Sequence, residues 1–381
     1  MDKSNLSYNQ QRMLRGRIVQ VTIRGFRSLA QIEALALPSL AVLIGAKGSG
    51  KSNFIRFFEM LGWMLRRQRL QEFVLRQGGG DDQLFMGART TPRMQAEIQL
   101  ETDLGRNDYR FALTAVSGDQ LGLVEEAYRF SRRDRPGLNQ WTELPMPARE
   151  AVIVERAPQD ATARVIVRLL QSCVTYQFHD TSANAPIKRP WDATDAAYLR
   201  SDGANLAPIL YRLREQEPAR YQLIVKQISR VLPTFGDFDL QPVYGKIELR
   251  WTMRGVDKTF GAHLTSDGSL RLFCLLTLLN LPDEMLPDIL FLDEPELGLH
   301  PHAIGLLAAM VKRLSASRQV FLATQSPQLV DCFQLENIIV ADIEQGATRL
   351  RTLSPDEYQA WLDDEYLISE IWLKQPVGTR S

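Results

Sequence analysis

The sequence predicts an α/β protein: a mixed β-sheet lobe with an antiparallel meander, joined to a helical lobe, and no long coiled coil. Three observations carry the prediction. An apolar run, Leu40-Ala41-Val42-Leu43-Ile44, enters a glycine-rich loop that is followed by helix-like apolar spacing at Phe54, Phe57, Phe58 and Leu61, which is a strand–loop–helix order. Three alternating segments, 94–101, 109–116 and 123–130, each close on turn residues and read as a meander. A second apolar run, Ile289-Leu290-Phe291-Leu292, stops at Asp293-Glu294, as a buried strand ending at a polar site would.

Bulk composition sets outer limits. The 381 residues suit two to three compact units or one large discontinuous domain, and an apolar content of 45% is enough for a sizeable core. Lysine plus arginine equals aspartate plus glutamate at 45 each. That balance argues against coating nucleic acid through bulk charge, though it leaves room for a local basic groove. Cys173, Cys274 and Cys332 are odd in number and far apart, so neither a disulfide framework nor a zinc spacing follows. Residues 1–11 are polar, and the longest apolar stretch, 273–281, is short and broken by Thr277 and Asn280. A cytoplasmic protein without a membrane partner is expected.

In chain order, 17–26 reads as a strand, and Gly25-Phe26-Arg27-Ser28-Leu29 turns the chain toward the loop strand. Arg27 is either an adenine contact or part of an ordinary turn. The loop is Gly45-Ala46-Lys47-Gly48-Ser49-Gly50-Lys51-Ser52, which meets G-x-x-x-x-G-K-[ST] at every fixed position. Glycines let backbone N–H groups turn inward, and the helix that starts near Lys51 adds its positive end. Lys51 is expected on the β- and γ-phosphates, Ser52 on Mg²⁺, and Asn53 beside them. Past the loop helix and Arg66-Arg67 comes Gln77-Gly78-Gly79-Gly80-Asp81-Asp82-Gln83. This is a flexible surface turn or a nucleotide-sensing segment, with Gln83 ahead of Gln77 as a metal-site candidate.

The basic turn 131–137 reads as a solvated loop, with nucleic-acid contact as the alternative. His179-Asp180-Thr181-Ser182 reads as a hydrogen-bonded turn or cap rather than a catalytic pair. Residues 193–231 are helical in pattern, cut by Pro208, Pro218 and Pro233, and no heptad run is long enough for an arm. A hairpin is expected with 238–244 and 246–253 on either side of Gly245. Thr265-Ser266-Asp267-Gly268-Ser269 precedes a helix over 270–279, and Ser266 and Gly268 at its start make an ordinary N-cap or, given the phosphate loop upstream and the Asp293 strand just downstream, a second phosphate-seeking surface. Asp293 is the expected magnesium ligand and Glu294 the group that orients and deprotonates water. An amphipathic helix follows over 302–314. The run Gln319-Val320-Phe321-Leu322-Ala323-Thr324-Gln325-Ser326 should lie beside the Asp293 strand and bring Gln325 to the γ-phosphate. Edge strands at 338–340 and 349–353, a short helix over 355–361 and a tail with Trp372 close the chain.

Taken together, these blocks resemble the ABC-type ATPase heads of the RecF and SMC class, a P-loop NTPase architecture. The stretches Phe178 to Ser182, Ser266 to Gly268 and Thr324 to Pro327 are similar to those of stand-alone, arm-less bacterial ATPases. The resemblance implies Walker A at 45–52, a signature at 265–269, Walker B at 289–293, the catalytic glutamate at Glu294, a D-loop through 301 and a switch at Gln325. Asp267 and Ser269 stand where the family has glycine and glutamine, and Gln325 where it commonly has histidine. It implies an N-terminal part of the head over 1–190, a helical insertion over 191–235 and a C-terminal part over 236–381. It also implies ATP and Mg²⁺ as cofactors, and a homodimer in which Ser266, Asp267 and Gly268 of one copy close over ATP held by the other. DNA, or an effector protein from the same operon, would be the further partner, in genome maintenance or anti-phage defence.

Overall fold

The computed structural model describes residues 16–66, 69–134, 137, 139–353, 358 and 366–374. The start of the chain, most of the helix expected over 355–361, and positions 67, 135 and 136 of the two basic stretches lie outside that set.

Two six-stranded sheets organise the described residues. The central sheet runs in the order Ala347–Thr352, Ile338–Glu344, Leu40–Ile44, Gln319–Thr324, Ile289–Asp293, Cys173–Tyr176. Its strands are parallel except for Ala347–Thr352, which pairs antiparallel with its neighbour. The sheet therefore draws strands from the first, middle and last thirds of the sequence. The strand Gln319–Thr324 lies beside the Asp293 strand, as expected, and its other side pairs with the loop strand. The strand Ile338–Glu344 is internal rather than at an edge, because Ala347–Thr352 covers its outer side.

Residue parity explains why these strands are apolar throughout. Val42, Leu290, Leu292, Val320 and Leu322 face one core, whereas Ala41, Leu43, Phe291, Phe321 and Ala323 face the other. Both faces are covered, so alternation disappears. On the second face Phe291 stacks on Phe321 at 4.5 Å and on Phe58 at 4.8 Å, which clamps the helix Lys51–Leu65 to the sheet. Burying each such ring contributes roughly 1.5–3 kcal/mol.

The meander sheet is antiparallel, in the order Leu29–Ala36, Gly16–Phe26, Arg93–Thr102, Gly105–Val116, Gln120–Arg132, Thr142–Glu143. Buried Gln319 stitches it to the central sheet: its Oε1 accepts from the Ile18 N–H at 2.8 Å, and its Nε2 donates to Ile18 O at 2.8 Å and Pro38 O at 3.0 Å.

The helical lobe contains Leu206–Gln216, Pro218–Val231 and Asp267–Leu278, sharing one apolar core with the first face of the central sheet. The helices expected from residue 193 begin only at Leu206. Trp191–Asp192 is instead a short strand paired with Lys246–Ile247. The hairpin expected around Gly245 is closed at its turn, where Val243 and Lys246 exchange both backbone hydrogen bonds, but its flanking strands take other partners. Phe235–Phe238 pairs with Arg250–Met253, and Lys246–Ile247 turns to the Trp191 strand. Phe235, Phe238, Ile247 and Trp251 of these strands belong to the apolar core shared by the helices and the first face of the central sheet. No helix among the described residues is long and apolar enough to cross a membrane.

Candidate functional site

The three neighbouring strands Leu40–Ile44, Gln319–Thr324 and Ile289–Asp293 all point their C-terminal ends the same way. In open α/β sheets that edge is where ligands bind. The phosphate loop, Gln325, and the pair Asp293-Glu294 follow directly from those ends.

Loop geometry accounts for its glycines. Gly50 caps the helix Lys51–Leu65 at φ 93°. A Cβ there would lie 1.8 Å from Thr348 Oγ1, and one on Gly45 would lie 2.2 Å from Ala341 O. Gly48, at φ 83°, faces open space. Lys51 is buried, and its Nζ donates to Gly45 O at 2.7 Å and Ala46 O at 3.0 Å. Among the described residues no carboxylate forms an ion pair with it. Burial pulls its pKa down, opposed by the charges of Glu294, Asp293 and Glu296. A buried ammonium held only by neutral oxygens fits an anionic ligand such as a nucleotide's phosphates. Ser52 is exposed at the helix start, and Asn53 Nδ2 donates to Ser28 Oγ at 2.7 Å.

Asp293 is buried, and burial lifts its pKa against the stabilising charge of His179. Its Oδ2 accepts from Gln177 Nε2 at 2.8 Å, and His179 Nε2 lies 3.0 Å from its carbonyl oxygen. Glu294 has φ 44°, a left-handed value uncommon outside glycine. Its N–H donates to Ala323 O at 2.8 Å, and its carboxylate accepts from Gln325 Nε2. Glu296, with its pKa raised by burial, accepts from the Thr324 hydroxyl. Among the described residues no group of three or more His, Cys, Asp or Glu could hold a metal ion alone. A magnesium ion would rest on Ser52, Asp293 and the nucleotide's own oxygens, which suits its preference for few protein ligands.

Gln83 requires a correction. It is fully buried, and its Oε1 accepts from Arg27 Nε at 3.0 Å and Nη2 at 2.9 Å. Its Nε2 donates to Gln77 O and Gly79 O. Its amide is thus committed to holding Arg27 and the glycine turn, and the glutamine that reaches Asp293 is Gln177. The expected surface turn is docked: Gly79 lies so close to Asp119 that a Cβ would meet its carboxylate at 1.8 Å. Arg27, at φ 48°, is half-buried, and burial together with Arg56 lowers its pKa to about 10.

Ser266 is the N-cap of Asp267–Leu278, its Oγ accepting from the Ser269 N–H, so that helix starts three residues earlier than expected. Gly268 packs on the turn at Gly298, where a Cβ would lie 2.4 Å from Gly298 O. Arg271, one turn on, donates to Phe178 O at 3.1 Å, His179 O at 3.3 Å and Leu297 O at 3.0 Å. Among the described residues no hydrogen bond joins Ser266, Asp267 or Gly268 to the phosphate loop of the same chain.

Comparison with known proteins gives a consistent result. A family described as "AAA domain, putative AbiEii toxin, Type IV TA system" matches residues 40–331. Two curated relatives carry the name DNA replication and repair protein RecF. The chain is 29% identical over 160 residues to the one from Anaeromyxobacter sp. (strain Fw109-5). It is 30% identical over 162 residues to the one from Anaeromyxobacter dehalogenans (strain 2CP-C). Each alignment takes in 37% of this chain and 43% of the relative, so the chain spans less than half the length of the curated relatives it matches. Among solved structures, an Smc head bound to the C-terminal winged-helix domain of ScpA is similar at TM-score 0.56 and 16% identity, covering 89% of this chain and 99% of that one. An Smc head with an extended coiled coil, bound to the C-terminal domain of ScpA derived from Pyrococcus furiosus, is similar at TM-score 0.56 and 14% identity, covering 92% and 99%. At these identities the likeness to solved structures is one of fold.

Proposed function

The chain belongs to the AAA-domain family that matches residues 40–331 and has the fold of an ABC/SMC-like P-loop ATPase head. From that premise we propose that it binds ATP with Mg²⁺, hydrolyses it, and forms a homodimer around it. One observation carries the reading: the phosphate loop, the Asp293-Glu294 pair and Gln325 leave the same edge of three adjacent parallel strands, with Lys51 buried inside the field of those carboxylates.

In this reading the loop N–H groups and Lys51 bind the phosphates, and Ser52 and Asp293 hold magnesium. Glu294 orients a water and takes its proton, and Gln325 orients Glu294. Magnesium, when bound, neutralises charge on the phosphate oxygens. Ser266, Asp267 and Gly268 are supplied to the partner copy's nucleotide, consistent with the absence, among the described residues, of a hydrogen bond to their own loop. DNA, or an effector protein encoded nearby, is the regulated partner. The RecF relatives favour DNA, and the toxin–antitoxin description of the family favours an effector.

Phosphate release and nucleotide binding, measured with and without linear duplex DNA, test the reading. Lys51→Ala abolishes binding. Glu294→Gln retains binding, loses turnover and accumulates dimer. Ser266→Arg binds as a monomer but loses turnover. Turnover per chain that ignores both Ser266→Arg and protein concentration would contradict the dimer model. The Gln325–Glu294 contact also favours a second reading, a nucleotide-sensing scaffold with negligible turnover. Stable ATP dimers without phosphate release, with or without DNA, select it.

A further inference from the structure

Thr348 lies far from the phosphate loop in sequence yet is fully buried directly beneath it. Its Oγ1 is 2.7 Å from Ser28 Oγ, and its N–H donates to Ser28 O at 2.7 Å. Ser28 Oγ in turn accepts from Asn53 Nδ2 at 2.7 Å, in the first turn of the loop helix. Both hydroxyls sit against Gly50: a Cβ on that glycine would lie 1.8 Å from Thr348 Oγ1 and 2.9 Å from Ser28 Oγ. The strand that pairs with the Thr348 strand backs the other end of the loop, since Ala341 O occupies the space of a Gly45 Cβ.

From these contacts we infer that Thr348, acting through Ser28 and Asn53, is a positioning residue for the nucleotide loop, and that the hairpin 338–352 is the floor of the nucleotide site. Gly50 takes a left-handed conformation at the point where the loop becomes helix. A loop of glycines has little stiffness of its own. Three linked side chains, from the turn at Ser28, the helix at Asn53 and the far hairpin at Thr348, hold that point from three elements. Thr348 is buried and Ser28 and Asn53 are half-buried, and a chain of hydrogen bonds so shielded is stiffer than any one of them. The same link fixes the turn that aims Arg27, the residue preceding Ser28. Thr348 touches no phosphate in this arrangement; it sets where the N–H groups point.

The inference rests on the nucleotide-binding reading, and the experiment separates the two. Magnesium and the non-hydrolysable analogue AMP-PNP are titrated calorimetrically into the wild type, Thr348→Val, Thr348→Ser and Ser28→Ala, with melting temperatures measured with and without the analogue. Thr348→Val keeps the shape and loses the hydroxyl, and is expected to bind about three- to tenfold more weakly, the size of one lost hydrogen bond. Thr348→Ser restores wild-type binding within about twofold, and Ser28→Ala combined with Thr348→Val is less than additive, as one linked unit requires. The melting-temperature rise caused by the analogue shrinks in Thr348→Val. If Thr348→Val lowers only the unliganded melting temperature and leaves the affinity intact, the residue is structural and the inference fails. Should Thr348→Val not fold, Ser28→Ala alone decides by the same comparison. A wild type that ignores the analogue would overturn the nucleotide reading itself.

Discussion

At the residue scale, Asp293 makes a prediction whose sign follows from its burial. Desolvation lifts its pKa above the ordinary 3.8, so the folded chain keeps a proton there to higher pH than the unfolded chain does. Its contribution to stability is therefore present in acid and lost as pH rises through the folded value. A bound magnesium ion reverses this preference by favouring the carboxylate. The stabilisation given by magnesium with AMP-PNP, read as a melting-temperature shift, is expected to be larger at pH 8 than at pH 5, and Asp293→Asn to flatten the difference. Gln177 belongs to the same prediction, because it bonds the Asp293 carboxylate. Gln177→Leu is expected to raise the magnesium concentration needed for half-maximal stabilisation about tenfold while leaving metal-free nucleotide binding unchanged, since a hydrogen bond to a charged group is worth about 1.5 kcal/mol or more. The contrast between Gln177 and Gln83 shows where reading the sequence stops. Gln177 follows the strand Cys173–Tyr176, whereas Gln83 follows three glycines and two aspartates, and neither setting says in one dimension which amide meets a carboxylate. Only strand pairing decides that Cys173–Tyr176 lies against Ile289–Asp293 and delivers Gln177 to Asp293. The placement of Lys51, Ser52, Asp293 and Glu294 at or just past the ends of buried strands was legible because each sits at fixed spacing from an apolar run.

At the element scale, long apolar runs were legible and short strands were not. Leu40–Ile44, Ile289–Asp293 and Gln319–Thr324 are apolar because two cores cover them, and that pattern survives in one dimension. The two-residue strands Trp191–Asp192 and Lys246–Ile247 carry no period of their own, and partners far away in sequence define them. Glycine runs mislead in a similar way: Gly78 and Gly79 suggest mobility, but their positive φ values serve a close approach to Asp82 and Asp119. Phe291 tests the joint between sheet and loop helix. It stacks on Phe58 and Phe321 and is fully buried, so Phe291→Ala leaves a cavity under the helix that carries Lys51 and Ser52. A loss of roughly 3–5 kcal/mol in urea unfolding is expected. Phe291→Leu, which refills most of the volume, is expected to lose markedly less. Equal losses for the two would mean that the stack does not clamp the helix.

At the scale of the whole molecule, the surface beside the helix Asp267–Leu278 is the feature that the proposed dimer would cover. Among the described residues no hydrogen bond joins Ser266, Asp267 or Gly268 to their own phosphate loop, while Arg271 and Gly268 fasten their helix to the turn at Leu297 and Gly298. That fastened unit presents Leu264 at 60% and Leu297 at 45% exposure, two leucines flanking a helix start that offers N–H groups to an anion. In the proposed dimer, ATP bound by one copy meets that helix start, and both leucines leave water. A leucine removed from solvent contributes roughly 1.5–3 kcal/mol, equivalent to about 10- to 100-fold in a dissociation constant. Leu264→Asp, placed in the Glu294→Gln background so that ATP persists, is therefore expected to weaken the ATP-dependent dimer by at least tenfold in analytical ultracentrifugation. Its unliganded melting temperature should stay within a degree or two of the parent's, because the side chain is already in water, and its affinity for nucleotide as a monomer should be unchanged. An ATP-dependent dimer as tight as the parent's would place the contact on another face and remove the signature residues from the active site.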